Sequence, residues 1–180
     1  MTSSRAALAL LAALFLVPLH SAVAEPTATD PWAGWRFLAG DWVGEGAKDQ
    51  GTGAFSFRFE LDDRVLVRRN HADLPAANGR PAAKHDDLMV VHPADAAGKK
   101  EAVYFDNEGH VLHYAAELSG DGKVLTFVTA PAAAAPRFRL TYTRVADDAL
   151  DIRFEIAPPG SPEKFAPYLS GHARRASAAR

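Results

Sequence analysis
The sequence contains no cysteine. No disulfide can staple the chain, so its fold must rest on an apolar core alone. Lipid attachment at an N-terminal cysteine is excluded on the same ground. An excess of one charge is also lacking: 20 basic against 22 acidic residues give a formal net charge of −2, with the signs mixed and no basic block. Nucleic-acid binding is therefore disfavoured. Long apolar runs are scarce. The run Ala6 to Val17 is too short for a membrane span, which takes about 20 apolar residues. No second run of that length follows, so stable membrane insertion of the mature chain is not expected. The spacing signatures of several enzyme classes are missing too: there is no Gly-x-Ser-x-Gly, no glycine-rich phosphate loop and no His-Glu-x-x-His.

What is present begins with an address. Arg5, the apolar run, Pro18 and then Ala22-Val23-Ala24 form a charged n-region, an h-region and a small-residue cleavage site. Residues 1–24 read as a signal peptide cut after Ala24, which predicts a periplasmic or secreted protein. Residues 25–31 read as a flexible leader, 32–175 as one domain, and 176–180 as a disordered tail. The mature chain lies in the usual single-domain range of about 100–200 residues.

That domain is punctuated into short alternating runs. A short helical turn is expected within Trp32–Ala39. Ten strands follow: Gly40–Gly46, Ala54–Leu61, Arg64–Leu74, His85–His92, Glu101–Phe105, His110–Leu118, Lys123–Thr129, Arg137–Arg144, Leu150–Ala157 and Tyr168–Arg175. Phe55, Phe57 and Phe59 alternate with Ser56, Arg58 and Glu60, the period-two pattern of a strand with one buried face. Leu150, Ile152, Phe154 and Ile156 do the same against Asp151, Arg153 and Glu155. Evenly spaced strands joined by turns predict an all-β fold, a single antiparallel up-and-down barrel of about ten strands, because closure removes exposed edges.

The stretch Gly40-Asp41-Trp42-Val43-Gly44-Glu45-Gly46 carries a resemblance. Its Gly40, Trp42, Gly44 and Gly46 are similar to the Gly-x-Trp-x-Gly-x-Gly signature of nitrobindin-like barrels and to the Gly-x-Trp opening of lipocalins and other calycins. The chain also resembles secreted bacterial barrel proteins. The resemblance implies a ligand-holding barrel. Nitrobindin-like proteins bind ferric heme and act on reactive nitrogen species, using a histidine near the C-terminal end of the barrel. By position that would be His172, in Gly171-His172-Ala173-Arg174-Arg175, so heme is the cofactor the resemblance raises.

In an up-and-down barrel the connections Ala47–Gly53, Pro75–Lys84, Asp106–Gly109, Ala130–Pro136 and Pro158–Pro167 share one rim. Most are long, and long loops on a rigid barrel commonly carry the binding site. Polar residues gather there. Candidate ligand-binding residues are Arg68, Asn70, His71, His85, Asp87, Tyr104, Asp106, His110, Arg139 and Glu155. A four-residue turn at Asp106–Gly109 would set Phe105 opposite His110 and Val103 opposite Leu112 on an inward face, with His110 inside the mouth. His113 then points away, so His110 and His113 should not share a metal. His71, His85, Asp87 and His110 are ligand types that suit zinc, but their spacing is not diagnostic and no metal site is assigned. The inward faces of the third and fourth strands stay open. One of Arg68 and Arg69 must point in, where it needs a carboxylate such as Asp87 or Glu155.

The leading expectation is an exported barrel binding a small, partly apolar ligand at the long-loop rim. The alternatives are a nitrobindin-like heme protein, and a hydrolase or isomerase using His110 with Asp106 or Asp87 as an acid–base pair. The plain alternative to all of these is a rim of polar side chains that merely meets solvent. The oligomeric state is not readable from the sequence.

Overall fold
The computed structural model describes residues 30–45, 52–76, 79, 81–95 and 97–177. The expected signal peptide, most of the leader, Gly46 of the signature and the end of the tail lie outside the described residues. A 3₁₀ turn, Ala33–Leu38, precedes ten strands. They are β1 (Gly40–Glu45), β2 (Thr52–Glu60), β3 (Val65–Leu74), β4 (Ala83–Pro93), β5 (Lys100–Asp106), β6 (Val111–Leu118), β7 (Val124–Thr129), β8 (Arg137–Ala146), β9 (Ala149–Ala157) and β10 (Ala166–Arg175). Each pairs antiparallel with its sequence neighbours, and β1 pairs with β10 to close the barrel. The expected all-β up-and-down barrel of ten strands with one short helical turn is what the chain forms. Its architecture is compatible with a calycin-like barrel. Among the described residues no helix is long and apolar enough to cross a membrane.

The inner side follows from alternation. Trp42, Phe55, Phe57, Leu66, Met89, Val91, Ala102, Tyr114, Leu125, Phe127, Tyr142 and Leu150 are all buried in one core. Phe55 lies parallel to Trp42 at 6.2 Å between ring centroids, and Phe57 and Phe127 meet Tyr142 edge-on at 5.6 and 6.3 Å. Offset and edge-on pairs of this kind add to the area they bury.

The end away from the long loops is plugged. Trp32, Trp35 and Leu38 are buried beneath the 3₁₀ turn. Trp32 donates its Nε1–H to the carbonyl of Asp63 at 2.7 Å and packs edge-on against Phe59. Trp35 packs edge-on against Phe127. Trp42 donates to the carbonyl of Leu38 at 2.8 Å, which ties β1 to the plug. Lys100, Arg144 and Arg175 also belong to this end, their charged groups lying over the rings of Trp32, Phe37 and Trp42.

Several boundaries shift from the sequence reading. β2 starts at Thr52 because Gly53 continues the ladder opposite Ala72. β8 and β9 run to a two-residue turn, Asp147-Asp148. β10 starts at Ala166, and Pro167 is accommodated beside a register shift, where a missing N–H costs no ladder bond. The larger correction is the β5–β6 hairpin. Phe105 pairs with Val111, Tyr104 with Leu112 and Val103 with His113, one residue off the expected register. The Asp106 carboxylate causes this: its Oδ1 accepts the backbone N–H of Glu108 at 3.0 Å and of His110 at 2.9 Å, and Gly109 takes φ 91°. The wider turn flips the faces of β5. Tyr104 shares the inner side with Leu112, while Phe105 is exposed on the outside.

Candidate functional site
The open question about β3 and β4 resolves from the core outward. Leu66 and Met89 are buried inside, so Arg68 and Asn70 on β3, and Asp87 and His85 on β4, share the inner side. Arg69 faces out. Moving from mid-barrel toward the rim, the inner positions change from apolar to ionisable within two residues on each strand. β5 contributes Tyr104 and Asp106 on the same side.

These side chains form one hydrogen-bonded belt. Arg68 Nη1 donates to Asp87 Oδ1, and both groups are buried. Asn70 Nδ2 donates to Asp87 Oδ2 at 2.9 Å. His85 Nε2 lies 3.4 Å from that same oxygen and 3.1 Å from the Tyr104 hydroxyl. His85 Nδ1 lies 3.0 Å from Glu108 Oε1. The Tyr104 hydroxyl donates to Asp106 Oδ2 at 3.3 Å, and His110 Nδ1 meets the same oxygen at 2.8 Å. Seven of the candidate ligand-binding residues therefore meet in one array: Arg68, Asn70, His85, Asp87, Tyr104, Asp106 and His110. Glu108, in the β5–β6 turn, joins them.

The electrostatics follow from these contacts. The hydrogen bond to Asp87, and then that to Glu108, outweigh partial burial and raise the His85 imidazolium to about 9. At neutral pH its two ring N–H groups both donate, one toward Glu108 and one toward Tyr104 and Asp87. Burial works against the charge of Asp106, but the backbone N–H of His110, the His110 ring and the N–H of Glu108 hold its carboxyl below the usual range. Burial and the nearby carboxylates push the Tyr104 hydroxyl up, and burial pushes Tyr142 up to about 12. Both tyrosines stay protonated in the physiological range. Among the buried side-chain polar atoms of the described residues, Arg68 Nε and the Tyr142 hydroxyl have no hydrogen-bond partner.

The remaining candidates lie elsewhere. His71 follows the inward Asn70 and so faces out, with Asp86 Oδ1 at 2.6 Å and Asp73 Oδ2 at 3.2 Å. Arg139 and Glu155 pair at 2.7 Å on the side opposite Leu140, beneath Phe165 of the β9–β10 loop. His110 has the parity of Leu112, but its ring stands at the lip, 60% exposed. His113 lies on the opposite side from Leu112, so the separation of the two histidines holds.

His172 tests the heme reading. Its neighbour Ala173 faces the core, so His172 points outward, and its ring nitrogens lie 2.7 Å from Asp151 Oδ1 and 3.5 Å from Glu45 Oε2. A histidine outside the wall with both nitrogens facing carboxylates does not fit an axial ligand inside the barrel. Among the described residues no group of three or more His, Asp or Glu has the arrangement to hold a metal ion.

Facing the belt across the lumen is an apolar wall. Leu140, Phe138, Ile152 and Phe154 line β8 and β9, with Phe138 and Phe154 stacked at 5.9 Å. Glycines stand at the rim-side inner positions of the next three strands: Gly171 on β10, Gly44 on β1 and Gly53 on β2. Among the described residues, a Cβ built on Gly171 meets no atom within 4 Å, so the lumen is open there. Two surface grooves, of about 270 and 420 Å³, lie on the outer side of β4–β8 and beside the β3–β4 loop, and neither includes a belt residue. The sequence reading overlooked Gly53, Gly171 and Tyr142. An isolated glycine inside a strand pattern marks close backbone approach, and that was the available signal. No family model matches the chain, and no curated protein sequence matches it.

Proposed function
We propose that this chain is a calycin-type barrel that binds a small, partly apolar ligand in the mouth at its long-loop rim. The asymmetry of that mouth carries the reading: a hydrogen-bonded polar belt on β3–β6 faces apolar side chains on β8 and β9 and glycine backbone on β10, β1 and β2. Small-molecule sites are commonly concave and mostly apolar, with a few fixed polar groups that set orientation. The plug at the far end makes the lumen a cup instead of a channel, so a ligand enters and leaves by the rim.

The test uses N-phenyl-1-naphthylamine, an uncharged probe whose fluorescence rises in apolar surroundings. The mature chain should enhance its emission, and Gly171→Phe should abolish the enhancement while leaving the thermal midpoint unchanged. The added ring projects into open lumen, where a Cβ has no neighbour within 4 Å. No enhancement with the unaltered chain, or full enhancement with the variant, overturns the reading.

We also propose export. The sequence pattern over residues 1–24 supports it, and N-terminal sequencing of protein isolated from its own cells should begin at Glu25. A chain that retains Met1 or Thr2 would overturn this.

A further inference from the structure
We infer that the ligand's polar end is an uncharged hydroxyl or amide, and that carboxylates and ammonium groups are both selected against. The inference rests on the mouth-binding reading and adds the class of head group.

It comes from a census of inward charge. Among the described residues, the inward cations at the mouth are Arg68 and His85, and the His110 ring stands at the lip beside Asp106. Each already has a carboxylate: Arg68 has Asp87, His85 has Glu108 with Asp87 behind it, and His110 has Asp106. The other inward cations, Lys100, Arg144 and Arg175, are at the plug end against aromatic rings. An incoming carboxylate would find no unmatched cation and would approach three acids. Like charges in a partly dry site repel, and the ligand would also lose its hydration.

An ammonium fares little better. Asp87 already accepts from Arg68 and Asn70 and lies within ion-pair distance of His85, and Asp106 takes two backbone N–H groups and has the His110 ring and Tyr104 hydroxyl beside it. Binding a new cation would mean separating an existing pair. Arg68 Nε has no partner but is buried, so what the belt still offers at the edge of the lumen is neutral. Asn70 gives one N–H to Asp87, leaving its side-chain carbonyl and second N–H at the edge of the lumen. His110 engages Asp106 through Nδ1, leaving Nε2 at the lip. A hydroxyl or amide both donates and accepts, and so matches these groups without disturbing a pair. The body of such a ligand would lie along Phe138, Phe154 and the glycine wall.

The experiment displaces N-phenyl-1-naphthylamine from the mature chain near neutral pH with 1-decanol, decanamide, decanoate and decylamine, which share one apolar tail. The alcohol and the amide should displace the probe at concentrations roughly tenfold lower than either ion, the scale of one unfavourable charge contact. Glu108→Gln supplies a second reading. It removes an exposed carboxylate at the lip and leaves His85 with less anionic compensation, so the affinity for decanoate relative to decanol should rise several-fold. If the probe binds and either ion matches or exceeds the alcohol, the head-group inference is wrong and the mouth-binding reading stands. If the probe binds and none of the four displaces it, the inference also fails. If the probe does not bind at all, the mouth-binding reading falls and takes this inference with it.

Discussion

Asn70 of β3 and Asp87 of β4 sit directly opposite each other in the antiparallel ladder, and the Asn70 amide reaches Asp87 Oδ2 at 2.9 Å while Arg68 takes Oδ1. Both oxygens of a buried carboxylate are thus engaged from the neighbouring strand. The arrangement keeps a buried ion pair beside an apolar core, and it has a cost when broken.

Removing the carboxylate should therefore be severe. Asp87→Ala strands the Arg68 guanidinium in the core, and breaking a buried pair from one side typically costs about 3–5 kcal/mol. Replacing both partners with apolar residues of similar volume, Arg68→Met with Asp87→Leu, should recover most of that loss. Urea denaturation of the single and double variants measures both. A single-variant loss below about 1 kcal/mol would show that the Arg68–Asp87 contact is not a buried, desolvated pair.

The β2–β3 turn makes the opposite prediction. Leu61, Asp62 and Asp63 all take positive φ, at 54°, 53° and 60°, and Leu61 is 72% exposed. A side chain in the left-handed region costs roughly 1–2 kcal/mol per residue. Leu61→Gly should relieve that strain without removing a core contact. Part of the gain is offset by the greater freedom of glycine in the unfolded chain, so the net stabilisation should be about 0.5–1 kcal/mol. A thermal midpoint that drops would mean Leu61 packs more tightly than its exposure indicates. The same substitution at Asp63 should not help, since Asp63 accepts Arg36 at 2.7 Å through its side chain.

The contrast between these positions shows what the sequence could reveal. The strands were legible because alternation such as Phe55, Phe57 and Phe59 is local, and closure followed from counting antiparallel neighbours. The rim cluster was legible because a meander fixes which loops share an end. Faces were legible only where one side was clearly apolar. On β3, Val65 to Asn70 mixes charge and hydrocarbon on both sides, so only the place of Leu66 in the core distinguishes Arg68 from Arg69. The β5–β6 register failed for another reason: the Asp106 side chain reorganises its own turn, and a one-residue change there exchanges Tyr104 for Phe105. Glu155 was a possible partner for an inward Arg68 or Arg69 but pairs with Arg139 under the β9–β10 loop, which alternation alone does not reveal.

Stability should depend on pH through His85. Its hydrogen bond to Asp87, with that to Glu108, raises it from 6.5 to about 9, so the folded chain holds this proton more tightly than the unfolded chain. That contribution is complete below pH 6.5 and is lost as the pH rises through about 9. His71 is raised as well, by hydrogen bonds to Asp86 and Asp73, and contributes with the same sign. Asp106 acts in the opposite direction: its lowered carboxyl stabilises the fold above the ordinary value of 3.8 and loses that effect as the pH falls through the lowered one. The urea midpoint of the unaltered chain should decline across the alkaline window. His85→Gln should flatten the decline while leaving the His71 part. Parallel curves for the two proteins would remove His85 from the account.

Finally, two glycines near the β1–β10 seam should respond oppositely to the same change. Gly40 has φ 136°, and a Cβ there would collide with the Arg175 guanidinium. That guanidinium donates to the carbonyls of Ala39 at 2.6 Å and Phe37 at 2.8 Å and lies over the Trp42 ring at 4.4 Å. Gly40→Ala therefore strains the backbone and displaces the side chain that ties the last strand to the plug, at a cost of about 2–4 kcal/mol. Gly171 has no such conflict, because a Cβ there meets nothing within 4 Å and its φ is not positive. Gly171→Ala should be neutral or stabilising by about 0.4–1 kcal/mol, through the unfolded chain. Equilibrium unfolding of both variants decides the matter. Equal losses would mean that the barrel requires glycine at both positions for the same backbone reason, and that the open lumen beside Gly171 is occupied in solution. A loss confined to Gly40 would locate the requirement where the first strand leaves the plug and meets Arg175 of the last.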